Sequence, residues 1–296
     1  MAADHGVRLF YRLVGTGRDT VVVLHGGPGF SMSYLAADLE PLAAGRTLLF
    51  YDQRGSGRST LVADSAMLDA QRFAEDLEAL RRHFGLARLS LLGHSWGVGV
   101  AALYAMRYQE KVRRLLLVDG TPVRRAHFTQ AFQALEARRD SATRRRLDEL
   151  RAARLANPGD AAACRAYYAV WFLAYYADPA AARRSRGDFC AGTQEALANK
   201  VQSVDRVTGA SLGEWDWRPA LGAITAPALV IHGTADFIPP ESAREWAAAL
   251  PNARLLILDG SGHFPYLELP GRFFEAADAF LRGEWPAGAE PVVPER

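Results

Sequence analysis

The chain has 296 residues, room for one large α/β domain or two of about 150 each. With 49% hydrophobic, 10% aromatic and 23% charged residues, a fibrous repeat or disorder throughout is excluded. Thirty-five Lys and Arg against 33 Asp and Glu leave a formal charge of +2, too even for a nucleic-acid or membrane-surface binder, so the expected partner is a small molecule or short peptide. Lys111 and Lys200 are the only lysines; the arginine excess, beside abundant alanine, reads as coding bias.

The amino terminus, MAADHGVRLF, lacks a basic stretch followed by an apolar run, so neither secretion nor membrane spanning is expected. Buried strands are predicted at Thr20 to Leu24, Thr47 to Tyr51, Leu89 to Leu92, Arg114 to Val118, Ala228 to Ile231 and Leu255 to Leu258, short apolar runs bounded by turn residues. Amphipathic stretches such as Met67 to Phe84 separate them, which predicts a doubly wound, mostly parallel sheet. The alternation stops after Asp119 and resumes near Pro227. The expected organisation is therefore a catalytic sheet domain over 1–121 and 219–296 with an inserted helical cap over 122–218.

Within that block, Arg124 to Arg154 reads as solvated helix faces. Ala166 to Tyr176 carries six aromatic residues in eleven; half is expected to pack ordinarily and half, Trp171 and Tyr175 among it, to line an apolar substrate pocket. Cys164 and Cys190 are too few for a disulfide framework and lack zinc-site spacing, so a reducing, cytoplasmic location is expected. Trp285 to Arg296, rich in Pro, Gly and Glu, reads as a frayed tail.

The sharpest chemical signal is Gly93-His-Ser-Trp-Gly97, placed between a predicted strand and the helical Val98 to Tyr108. A serine on so tight a strand-to-helix turn is exposed, and the N–H of Trp96 faces the place where an oxyanion forms. A hydroxyl is a poor nucleophile without a base and a carboxylate to orient that base, so both should follow later strands in the order Ser, Asp, His. The sequence offers His232-Gly-Thr-Ala-Asp236 and Asp259-Gly-Ser-Gly-His263, making Ser95, Asp236 and His263 the candidate triad. Asp119, at the end of an earlier strand, competes as the orienting acid. His25-Gly-Gly-Pro-Gly29 follows the first predicted strand, and Gly27 can supply the second oxyanion donor. A phosphate loop is disfavoured, since no Gly-Lys-Ser/Thr follows.

These motifs resemble those of the α/β-hydrolase superfamily, and within it the proline iminopeptidase branch. His25 to Gly29 resembles that branch's oxyanion motif, Asp52-Gln-Arg-Gly-Ser-Gly-Arg-Ser59 its signature after the next strand, and Gly93 to Gly97 its elbow. The resemblance implies Ser95 as nucleophile, His263 as base, Asp236 as its partner, Gly27 and Trp96 as oxyanion donors, and Asp52 to Ser59 as scaffold. Val98 departs from the small residue usual after Gly97. The family also captures a substrate ammonium with acidic cap residues, often in a Trp-Glu pair; here the order is reversed in Glu214-Trp215, leaving Glu195 and Glu214 as candidate ammonium partners. The expected activity is cofactor-free serine hydrolysis that releases amino-terminal residues from small peptides or amino-acid amides. Carboxylesterase or lactonase action on apolar molecules and a catalytically silent receptor on the same scaffold are the alternatives. Oligomeric state is open.

Overall fold

A computed structural model of the chain describes residues 1–293. Seven strands form one sheet: β1 (Tyr11–Val14), β2 (Thr20–Leu24), β3 (Thr47–Tyr51), β4 (Leu89–His94), β5 (Val112–Val118), β6 (Ala228–Gly233) and β7 (Ala253–Leu258), in the spatial order β1-β3-β2-β4-β5-β6-β7. β2 to β7 are parallel and β1 runs antiparallel against β3, with Tyr11 opposite Tyr51. The central strands are apolar on both faces because helices cover both; Val21 and Val23 join one buried cluster while Val22 and Leu24 join the other. β1 escapes the sequence reading because it is an edge strand whose Arg12 and Leu13 face solvent.

The chain passes outward from β2 to β3, then returns to the other side of β2 as β4. That reversal opens a crevice at the carboxyl ends of β2 and β4, where sheets of this kind place their ligands. The helix Ala70–His83 is held behind it by Arg54, whose guanidinium donates from Nε and Nη2 to the two oxygens of Asp76 at 2.7 Å each, both side chains fully buried.

Between β5 and β6 the chain is helical, with Arg125–Ala137, Ser141–Ala156, Ala161–Trp171, Gln194–Asn199, Asp205–Ser211 and Arg218–Leu221 as its α-helices. Two sequence expectations need correction. Cys164 and Cys190 form a disulfide, with Cα atoms 5.9 Å apart; the 26-residue separation conceals a proximity that only the folded helices create, and the cysteines no longer argue for a reducing compartment. The carboxyl segment is not frayed: Glu290 exchanges backbone hydrogen bonds with Leu255 of β7, and the Trp285 ring lies beside Phe280 and Arg254. Residues 294–296 lie outside the described residues. Among the described residues no helix is long and apolar enough to cross a membrane.

Candidate active site

Ser95 sits between the end of β4 and the helix Trp96–Arg107 with φ 56°. Only a well-braced turn holds a non-glycine residue there. Ser95 N–H donates to Val118 O at 3.0 Å, and its carbonyl accepts from Thr121 N and Val98 N at 3.1 and 3.0 Å. A Cβ on Gly97 would run into the carbonyl oxygen of Leu24, so the small residue permits close packing of helix on strand. Val98 is accommodated from the opposite side by Gly120, where a Cβ would come within 2.7 Å of the Val98 side chain.

Asp236 and His263 come from the loops after β6 and β7, and both are buried. His263 Nδ1 lies 2.9 Å from Asp236 Oδ2, while His263 N–H donates to Tyr175 O at 2.8 Å. Arg138, just past the helix Arg125–Ala137, donates to the carbonyl of Asp236 at 2.6 Å. Burial works upward on the Asp236 carboxyl, but the charge and hydrogen bond of His263 outweigh it and hold Asp236 below the ordinary carboxylate range. Ser95 and His263 line one cavity. Among the described residues no hydrogen bond joins their side chains, a looseness common before substrate binds.

Asp119, the competing acid, is fully buried with φ 41°. Its Oδ1 accepts from Gly233 N at 2.9 Å and lies 3.2 Å from His232 Nδ1; its Oδ2 is buried without a partner. Burial, followed by the charge of Asp236, pushes its carboxyl well above the ordinary carboxylate range. Burial likewise lowers His232. Asp119, His232 and Asp236 each bring a possible ligand atom within 4.8 Å of the others. Asp236 Oδ2 is engaged by His263, Asp119 Oδ1 by Gly233, and His232 Nε2 by Ile238 O, so each residue of the cluster already has a partner within the protein.

The loop after β2 is wired by side chains that motif reading treats only as scaffold. Gln53 N–H donates to His25 Nε2 at 3.0 Å, the Gln53 amide donates to His25 O at 2.8 Å, and its carbonyl accepts from Trp96 Nε1 at 3.1 Å. Tyr34 OH accepts from Gly26 N and donates to His94 Nδ1, whose Nε2–H reaches His263 O. Burial lowers His25 to about 4 and His94 to about 3, so both are neutral relays. Gly27 and Trp96 line the cavity beside Ser95, and Trp96, as the first helical residue, has an N–H outside the helix's own hydrogen bonds. Gln53 lies within the Asp52 to Ser59 motif read as scaffold, while Tyr34 carries no sequence signal of its own.

The cavity holds about 570 Å³ between these loops and the helical insertion. A family model described as the alpha/beta hydrolase fold matches residues 19–270. The chain belongs to that family. The chain is 26% identical to a proline iminopeptidase of Clostridioides difficile, over 93% of this chain and 95% of that one. Among solved structures it is similar to a proline iminopeptidase of Mycobacterium smegmatis, with TM-score 0.68 and 25% identity over 94% and 95% of the two chains. VinJ is similar as well, with TM-score 0.73 and 25% identity over 95% and 97%. The chain is a hydrolase, and proline iminopeptidase-like in sequence.

The insertion side of the hydrolase's cavity is aromatic. Tyr167, Tyr168, Trp171, Phe172 and Tyr175 line it, whereas Tyr176 packs against Phe264 outside it. The expected acids are elsewhere. Glu195 is exposed in the first turn of Gln194–Asn199, and Glu214 is exposed and paired with Arg125 at 2.9 Å. Neither lines the cavity; in the Glu214-Trp215 pair it is Trp215 that turns inward, donating its indole N–H to Pro122 O. The charged residues that do line it are Arg125, Arg154, Lys200, Asp205 and Arg206, besides His263. Arg154 and Lys200 were not legible as site residues, since each meets its aromatic neighbours only across the folded insertion.

Proposed function

We propose that this chain is a serine hydrolase working through an acyl-enzyme. Ser95 attacks the carbonyl carbon, His263 takes the hydroxyl proton through Nε2, and Asp236 holds the imidazole by Nδ1 and stabilises its charge. The developing oxyanion is received by the N–H groups of Gly27 and Trp96. His263 then delivers its proton to the leaving group, and a water activated by His263 releases the acid. The observation that carries the reading is the buried Asp236–His263 pair opening onto the same cavity as a positive-φ serine.

The substrate is a small molecule with an apolar or aromatic body, an ester first, because the aromatic wall and the oxyanion loop enclose the reacting serine. The helical insertion acts as the cap over it. Release of an amino-terminal residue is the second reading, supported by similarity to the two proline iminopeptidases. Purified protein should hydrolyse a para-nitrophenyl ester of an arylalkanoic acid, and Ser95→Ala should lower kcat by roughly 10⁴-fold or more without unfolding the chain. A retained rate in that variant would overturn the nucleophile assignment. Cleavage of proline and alanine arylamides alone would select the second reading.

A further inference from the structure

The charges that line the cavity are arranged for an anion. Among the described residues Asp205 is its only carboxylate, and both of its oxygens are held by Lys200 Nζ at 2.7 and 2.8 Å. The same ammonium donates to Pro28 O at 2.9 Å and lies 4.0 Å from the centre of the Phe30 ring, so a buried protein cation already occupies the carboxylate and aromatic surroundings that a substrate ammonium would need. Arg154 lies over Tyr168 and Tyr167, at 4.6 and 5.2 Å from the ring centres. Its Nε is buried without a hydrogen-bond partner, and among the described residues no carboxylate pairs with it. Arg154 and Lys200 line the same cavity, and its carboxylate, Asp205, is taken up by Lys200. An oxyanion placed beside Arg154 gains a charge-assisted partner.

We propose that the hydrolase selects substrates whose apolar or aromatic body bears a carboxylate, received by Arg154 beside the Lys200–Asp205 pair, and discriminates against substrates bearing a free ammonium. This rests on the serine hydrolase reading above and narrows its substrate class. The carboxylate takes no part in the reaction; it fixes the substrate under the insertion while the ester carbonyl lies at Ser95.

The test compares para-nitrophenyl phenylpropanoate with its para-carboxylate and para-aminomethyl derivatives, whose rigid rings keep the added charge from attacking the ester. The carboxylate ester should show a kcat/KM at least about tenfold above that of the aminomethyl ester at low ionic strength, and the preference should shrink as salt is raised. Arg154→Gln should bring the ratio towards unity, and Arg154→Lys should restore part of it. Equal rates, or faster turnover of the aminomethyl ester, would overturn the proposal. Failure of all three esters to react would instead count against the hydrolase reading. In that case calorimetric titration of wild-type protein with 4-propylbenzoate and 4-propylbenzylammonium, which carry one charge each, still decides the charge preference: tighter binding of the carboxylate supports it, and equal or weaker binding overturns it.

Discussion

The two walls of the cavity are built on different principles. On the sheet side, Ser95, His263, Asp236 and the loop after β2 are fixed by backbone hydrogen bonds at strand ends, and buried polar side chains such as Gln53, His25 and His94 are paired. On the insertion side, stacked rings are interleaved with cations from other parts of the insertion, as where Trp171 stacks on Tyr167 and Arg139, in the loop before Ser141–Ala156, lies 3.9 Å from the Trp171 ring centre. Paired polar groups of the first kind can hold reacting atoms in place, as the proposed acyl transfer would require. Rings and cations of the second kind suit selection by shape and charge.

The comparison breaks most directly at the two buried acids. If Asp236 alone is the charged partner of His263, Asp236→Asn should lower kcat by roughly 10³- to 10⁴-fold through loss of imidazolium stabilisation and of the correct tautomer. Asp119→Asn, which keeps an acceptor for the Gly233 N–H, should cost less than about tenfold. Steady-state kinetics on a neutral ester reads both, and a reversal of the two effects would transfer the orienting role to Asp119.

Behind the sheet-side wall, Arg54→Met leaves the Asp76 carboxyl buried without its partner, and should lower the unfolding free energy by about 3 to 5 kcal/mol. Urea denaturation measures it. A loss below about 1 kcal/mol, the level of an exposed ion pair, would contradict the burial argument.

Acid should weaken the same wall more gently. His25 and His94 have an ordinary value of 6.5 in the unfolded chain and about 4 and 3 when folded. The unfolded state therefore binds more protons below pH 6.5, and stability falls as pH drops from there through the folded values. Between pH 7 and 5 each histidine should cost on the order of 2 kcal/mol. A urea midpoint that does not move over this interval would rule this out.

Much of the first wall was legible because its determinants are local. Gly93 to Gly97, His25 to Gly29 and the residues after β6 and β7 lie at strand ends that apolar runs already mark, and their spacing follows from the turns they make. Tyr34, Gln53 and Arg138 were missed as site residues because each acts through an ordinary hydrogen bond that only the assembled loops align. The second wall depends on long-range contact. Arg154 meets Tyr168 by packing of two helices, Lys200 meets Phe30 across 170 positions of chain, and no local pattern separates these from the solvated arginines beside them. The family resemblance pointed to Glu195 and Glu214, and both are exposed.

The account stands or falls on one serine. Folded protein treated with a fluorophosphonate and digested for peptide mass analysis should carry one adduct per chain, on Ser95, with activity lost in step with labelling. Absence of that adduct in folded protein, or loss of activity with label elsewhere, would contradict it.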